Sequence, residues 1–353
     1  MSLRVGIIGC GNVGNKRLGL ALEDKKTSLE VVADIEPDRA AKSASIAGCR
    51  STTDWKEVVS DKKIDIIVVS TTNDLLAPIA LEALKTGKHV LCEKPMARNS
   101  AEAAPLVEMA KKKKRVLKAG LNLRFHPAVK KAHQLLEEGI IGKPIFARCR
   151  YGHGGRPGYD KEWHSVKEIS GGGELLDQGV YVADLFNWFF GEADEIVGFN
   201  ACGFWHAEDI EDNGFALFKT NENVISSMHV SCTQWKNLFS FELNGSKGHL
   251  RAEGLGGSYG KERLAIGIGA GKGKPPFETI VEFSSEDISW QQEWAEFISS
   301  ILSERLPIGS GEDAFNALRA IDAVYESSAR KEVIVFESDG AGSKQKSRLY
   351  PKN

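Results

Sequence analysis

No apolar run of about 18 residues occurs in the 353-residue chain, and no charged, apolar and small-residue leader opens it, so neither membrane insertion nor export is expected. Charge of one sign is also lacking. The formal net charge is −2, which favours neither nucleic acid nor an anionic membrane. The one basic cluster, residues 111–115, ends a helical pattern, where cations complement the helix dipole and stay solvated. The six cysteines (10, 49, 92, 149, 202 and 232) contain no C-x-x-C pair, and several lie in strand-like apolar runs. That suits reduced, buried thiols in a cytoplasmic protein better than a disulfide framework. The eight histidines show no H-x₃₋₅-H spacing, so no metal is expected, and no G-x-S-x-G elbow exists for serine hydrolysis.

What is present is alternation. Short apolar runs at 3–9, 29–35, 64–70, 88–95 and 115–120 are separated by helical patterns near 9–24, 38–46, 75–86 and 100–113. Strands buried on both faces and alternating with helices predict a doubly wound parallel sheet. The first strand runs into Gly9-x-Gly11-x-x-Gly14, where Gly9 permits the turn, Gly11 the approach of a pyrophosphate and Gly14 close helix–strand packing. Asp34 lies 20 residues past Gly14, where a carboxylate meets ribose hydroxyls. Dinucleotide binding follows, by Gly9, Cys10, Gly11, Asn12, Val13 and Asp34. Asp34 would repel a 2′-phosphate and so favours NAD, while the nearby Arg39 keeps NADP open. Ligands bind beyond the carboxyl ends of such strands, which adds Ser70, Thr71, Thr72, Asn73, Glu93, Lys94 and Asn122 to the expected cofactor site.

Four motifs carry a resemblance: "GIIGCGNVG", "ALKTGKHVLCEKPMA" (83–97), "GLNLRFHPA" (120–128) and "GGGELLDQGVYVADL" (171–185). Together they resemble the Gfo/Idh/MocA oxidoreductases. The resemblance implies a Rossmann domain (1–121) and a second α+β domain (122–353) built on a large, open, mostly antiparallel sheet that commonly forms homodimers or homotetramers. It also implies hydride exchange between a nicotinamide and a carbinol carbon of a sugar, cyclitol or related polyol. Lys94 matches the catalytic lysine, and Asp177 the carboxylate of D-x-G-x-H. Tyr181 stands where most members carry histidine, as in the glucose–fructose oxidoreductase branch. The usual T-P-N-x-x-H reads Thr71-Thr72-Asn73-Asp74-Leu75-Leu76, without its proline and histidine.

In the second half, period-two runs at 145–151, 195–201, 214–219, 224–232 and 238–245 predict antiparallel strands, with helices at 291–304 and 312–330 and a loose polar tail from about 338. His229 falls on the outward side of its strand. The glycine-rich loop 152–173 holds Arg156, Tyr159, Trp163 and His164, planar and aromatic groups suited to a polyhydroxy ligand or to anchoring the loop. Arg124 and His126 are expected to line the substrate cleft with Asn122. Asp177, Tyr181 and Asp184 stand at i, i+4 and i+7 of one apolar helix, the first two facing the cofactor domain and Asp184 structural.

Loss of hydride requires loss of the hydroxyl proton, so a base is needed. Tyrosine, with a pKa near ~10, needs help, and the Lys94 ammonium would supply it. The expectation is that Lys94 and Tyr181 share the proton, with Asp177 orienting the lysine or the substrate. An NAD-retaining glycoside hydrolase, a non-catalytic NAD sensor and a purely structural role for Asp177 and Tyr181 remain as alternatives.

Overall fold

The computed structural model describes residues 2–336 except 206–209, 272 and 285, so the polar tail from about 338 lies outside the described residues. The chain divides into two compact units. The first takes in residues up to Asn122, Glu168–Gly171 and Trp290–Phe315. The second takes in Leu123–Lys167, Gly172–Ser289 and the residues from Asn316 on.

The first unit is a six-stranded sheet of β1 (Leu3–Ile8), β2 (Thr27–Ala33), β3 (Arg50–Thr52), β4 (Ile66–Val69), β5 (His89–Cys92) and β6 (Leu117–Ala119), in the order β3-β2-β1-β4-β5-β6. Every pairing is parallel. The order reverses between β1 and β4, and a crevice at such a switch point is where dinucleotides lie. The apolar runs follow from burial on both faces: all four residues of β4 are inaccessible. Strand β3 and the helix Trp55–Ser60 leave little trace in the sequence, because three half-exposed residues and a six-residue helix carry no periodic signal. Asp54 starts that helix by accepting a hydrogen bond from Lys56 N at 2.9 Å.

The second domain was expected to run unbroken from 122 to 353. The helix Ser289–Leu302 instead seals the first unit. Its Trp294, Phe297, Ile298 and Ile301 share a core with Val5, Ile7, Leu18, Val32, Ile66 and Leu91. Spaced i, i+3, i+4 and i+7, they form one apolar stripe, which needs a sheet face to cover.

The second unit holds nine strands: β7 (Pro144–Gly152), β8 (Glu195–Ala201), β9 (Asn213–Lys219), β10 (Ile225–Ser231), β11 (Leu238–Gly245), β12 (Gly248–Glu253), β13 (Arg263–Ile268), β14 (Phe277–Glu282) and β15 (Ile334–Val335). Their order is β14-β13-β12-β11-β7-β10-β9-β8-β15, antiparallel throughout except for β7 beside β10. Strands β13 and β14 do not alternate cleanly. Leu264 and Ala265 are both buried, while β14 is an exposed edge. One sheet face packs on the helix Gly179–Phe190, with Phe186 against Phe218 (ring centroids 5.3 Å apart) and Phe189 against Phe241 (4.9 Å). The other face presents Phe199, Phe215, Leu217 and His229, the last stacked on Phe215 at 4.1 Å.

Candidate active site

In the first unit, the glycine turn is locked by its neighbours. Gly9 has φ 98°, and a Cβ there would lie 2.3 Å from Ser70 O; a Cβ on Gly14 would lie 1.8 Å from Gly9 O. Only glycine fits either place. Gly11 is different: a Cβ there would meet nothing within 4 Å, which leaves open space over the N-terminus of the helix Asn12–Glu23. The first amides of a helix lack partners within it and attract anions, so this gap fits a pyrophosphate. Asp34 is buried. Its carboxylate accepts from Cys10 N at 2.7 Å and Glu36 N at 2.9 Å, with Arg39 Nη1 at 4.0 Å. A carboxylate has about four lone-pair directions, so capacity remains for a ribose hydroxyl. Burial raises the Cys10 thiol to about 11, which leaves it neutral beside the turn.

Other expected cofactor residues are partly committed to the scaffold. Ser70 Oγ donates to Gly9 O at 2.9 Å, Thr72 Oγ1 to Asp74 Oδ1 at 2.6 Å, and Asn73 Nδ2 to Ser170 O at 2.8 Å. Thr71 stands at the carboxyl end of β4, and buried Asn122 opens the short helix Asn122–Phe125. Lys94 is the second residue of a tight turn in which Met96 N donates to Glu93 O at 2.9 Å and the Lys94–Pro95 bond is cis. Glu93 points inward to Arg17 at 2.6 Å.

In the second unit, the single helix expected across Asp177, Tyr181 and Asp184 is two: Glu174–Asp177, then Gly179–Phe190 after a junction at Gln178. Asp177 therefore ends one helix and Tyr181 lies in the first turn of the next. The start of the first of these helices is held from outside the segment. Buried Glu211 accepts from Gly173 N and Leu175 N through Oε1, both at 3.0 Å, and from Tyr325 OH at 2.7 Å, while its carbonyl accepts from Glu174 N at 3.1 Å. A Cβ on Gly173 would strike Glu211 O at 1.9 Å, so glycine is required there.

Around Asp177 and Tyr181 stand groups that sequence reasoning missed. The Tyr151 ring is edge-on to Tyr181 with centroids 6.1 Å apart, and 5.6 Å from Tyr259. Burial raises the Tyr151 phenol well above its usual range and Tyr259 to about 12, so both stay neutral donors at physiological pH. Buried Glu174 meets Tyr159 OH at 3.4 Å and His153 Nε2 at 3.4 Å. Of this cluster the sequence pointed to Tyr159 in the loop, while Tyr151, His153, Glu174 and Tyr259 carried no motif.

His153, Glu174 and Asp177 bring ligand-type atoms within 4.8 Å of one another, a spacing a metal ion could use. The histidine tautomer opposes it. His153 Nδ1 accepts from Gly155 N at 3.0 Å, so in the neutral ring Nε2 carries the proton and faces Glu174 as a donor. A donor and two carboxylate acceptors suit the hydroxyls of a polyol.

Arg124 and His126 have partners within their own unit. The Arg124 guanidinium is 4% exposed and grips Asp184, Nε to Oδ2 at 2.8 Å and Nη2 to Oδ1 at 2.6 Å. His126 Nδ1 lies 3.1 Å from Glu262 Oε2. In the loop, Trp163 stacks on His164 at 3.8 Å, and His164 on Tyr159 at 5.8 Å. Arg156 is exposed and pairs with Glu162 at 2.5 Å. Gly155, at φ 64°, gives way to the Trp205 indole, whose carbons a Cβ would approach to 2.5 Å.

Comparison with known proteins is decisive here. Residues 3–121 match the family model described as "Oxidoreductase family, NAD-binding Rossmann fold", and residues 129–251 match the "GFO/IDH/MocA C-terminal domain". The chain belongs to the Gfo/Idh/MocA oxidoreductases. This family member is an NAD-dependent oxidoreductase acting on CH–OH groups. It is 34% identical to levoglucosan dehydrogenase of Pseudarthrobacter phenanthrenivorans over 203 residues, about half of each protein (54% of this chain and 52% of that one). It is 27% identical to 1,5-anhydro-D-fructose reductase of Ensifer adhaerens over 95% of this chain and 99% of that one. The solved levoglucosan dehydrogenase complex with NADH and levoglucosan shares the fold, with a TM-score of 0.85 at 23% identity over 95% of this chain and 99% of that one. Among the described residues no helix is long and apolar enough to cross a membrane.

Proposed function

We propose that this chain exchanges hydride between NAD and a ring CH–OH carbon of a cyclic sugar or cyclitol, with Lys94 and Tyr181 sharing the proton transfer and Asp177 orienting the substrate hydroxyl. The oxidation balances as CH–OH plus NAD⁺ giving C=O, NADH and one proton. Bound NAD supplies the hydride acceptor or donor. The glycine turn would hold its pyrophosphate and Asp34 its ribose. The protein's own task is the proton. Tyr181 is the group that moves it, Lys94 supplies the ammonium that makes a phenolate accessible, and Asp177 orients the substrate hydroxyl.

The observation that carries this reading is the cluster formed by Tyr151, His153, Tyr159, Glu174, Asp177 and Tyr181. Neutral phenols, a histidine N–H donor and carboxylate acceptors stand beside aromatic rings. A polyol needs such alternating donors and acceptors. The named relatives act on levoglucosan, 1,5-anhydro-D-fructose and inositols, all cyclic polyols. Lys94→Ala and Tyr181→Phe, assayed by NADH formation on a panel of such compounds, are each expected to lose about 10²–10⁴-fold in kcat. If both match the parent on its best substrate, the assignment is wrong.

The open face of the nine-stranded sheet supports self-association. Phe199 is 62% exposed and Phe215 48%, and they lie on adjacent strands beside Leu217. A second copy seated there would give a homodimer, or a homotetramer through a further contact. The free thiols of all six cysteines, four of them buried, favour a reducing cytoplasm.

A further inference from the structure

Four ionisable side chains, Arg17, Glu93, Lys118 and Glu293, are buried together in the first unit. Arg17, on the helix Asn12–Glu23, has no exposed surface. Its Nε donates to Glu93 Oε1 and its Nη2 to Glu293 Oε2, each at 2.6 Å. Glu293 Oε1 lies 3.6 Å from Lys118 Nζ, which also donates to Ile308 O at 2.5 Å. The indole of Trp290 covers the guanidinium, with Cζ 4.3 Å from a ring centroid. Gly120 leaves the room: a Cβ there would stand 2.5 Å from Glu93 Oε2 and 3.3 Å from Arg17 Nη2.

Stability does not account for such a cluster. Apolar side chains of equal volume commonly hold buried elements together as well as an ion pair does, or better. An ion pair with two directed hydrogen bonds supplies orientation instead. Here the oriented group is Glu93, the first residue of the tight turn whose second residue is Lys94. The fixed points come from the first helix and from a glutamate 276 positions along the chain from Arg17.

We propose that Arg17 is a positioning residue for Lys94: clamped between Glu93 and Glu293, it holds the turn from which the lysine acts. This rests on the catalytic reading of Lys94. The groups that face the Glu93 carboxylate are Arg17 from the first helix, Glu293 from the helix Ser289–Leu302 and Lys94 beside it. Burial pushes Glu93 above the usual carboxylate range, and Arg17 opposes that rise. Without the guanidinium, Glu93 takes up a proton at higher pH and the turn loses its anchor.

The test is steady-state kinetics on folded protein for Arg17→Met, Arg17→Lys, Glu293→Gln and Lys94→Ala, each with a pH profile and a Tm. Arg17→Met is expected to lower kcat about 10–100-fold, the scale of a misplacement near 1 Å, with both KM values within twofold. Its acid limb moves to higher pH, and Arg17→Lys restores part of kcat. Glu293→Gln is the second arm should Arg17→Met not fold, and it lowers kcat severalfold at an unchanged NAD KM. Parental kcat and pH profile in Arg17→Met, or in Glu293→Gln where only that variant folds, would overturn the proposal, whatever happens to Tm. Parental activity in Lys94→Ala would instead overturn the catalytic reading beneath it.

Discussion

Arg124 was expected at the substrate, and the structure gives it a partner that makes a sharp experiment possible. Its guanidinium is 4% exposed and meets the fully buried Asp184 through two hydrogen bonds of 2.8 and 2.6 Å. Replacing Asp184 with Ala leaves a cation in a dry place and removes both bonds. Breaking a buried pair in this way costs about 3–5 kcal/mol. For a unit of this size each kcal/mol shifts Tm by about 2–4 °C, so the transition of the second unit should fall by roughly 6–20 °C. Replacing both partners, as in Arg124→Met with Asp184→Leu, removes the two charges together and should recover most of the loss. Calorimetry on the three variants measures this, and parallel kinetics separates the two roles. A structural pair lowers Tm in Arg124→Met and leaves the sugar KM of folded enzyme unchanged. A parental Tm with a tenfold higher sugar KM would refute the structural account and restore Arg124 to the ligand.

Three further outcomes are expected. Gly14→Ala drives a Cβ into Gly9 O; an overpacking cost of about 1–3 kcal/mol should weaken NADH binding roughly 10–100-fold, read by fluorescence titration. Burial, helped by Arg115, lowers His89 to about 4, and its Nδ1 accepts from Val116 N at 3.0 Å. The folded pKa lies below the unfolded value of about 6.5, so this contribution is complete above about 6.5 and lost as pH falls through about 4. Urea midpoints between pH 7 and 4 should therefore flatten in His89→Gln. Phe215→Glu places a charge on the open sheet face and should shift light-scattering mass toward the monomer with kcat little changed.

The parallel sheet was legible because burial on both faces of β1, β2, β4 and β5 forces continuous apolar runs, and because Gly9 and Gly14 are demanded by contacts that permit nothing larger. The antiparallel half was legible only where one face is buried and the other open, as in β8 to β11. At β13 and β14 the alternation fails and the strands vanish from the pattern. What the sequence hides most completely is pairing at a distance. Trp294, Phe297, Ile298 and Ile301 announce an amphipathic helix, but the stripe does not say which sheet it covers. Likewise "GGGELLD" looks like the start of one long helix, and the groups that hold its first turn, Glu211 and Tyr325, lie far along the chain.

The same blindness explains Arg124, His126 and Glu93. Polar residues at the carboxyl end of a strand are candidates for a ligand, yet each also needs a partner if it is buried. Asp184, Glu262 and Arg17 are those partners, at separations of 60, 136 and 76 residues. A charge that the fold has already neutralised on both sides can steer a neighbour but has little left to offer a substrate.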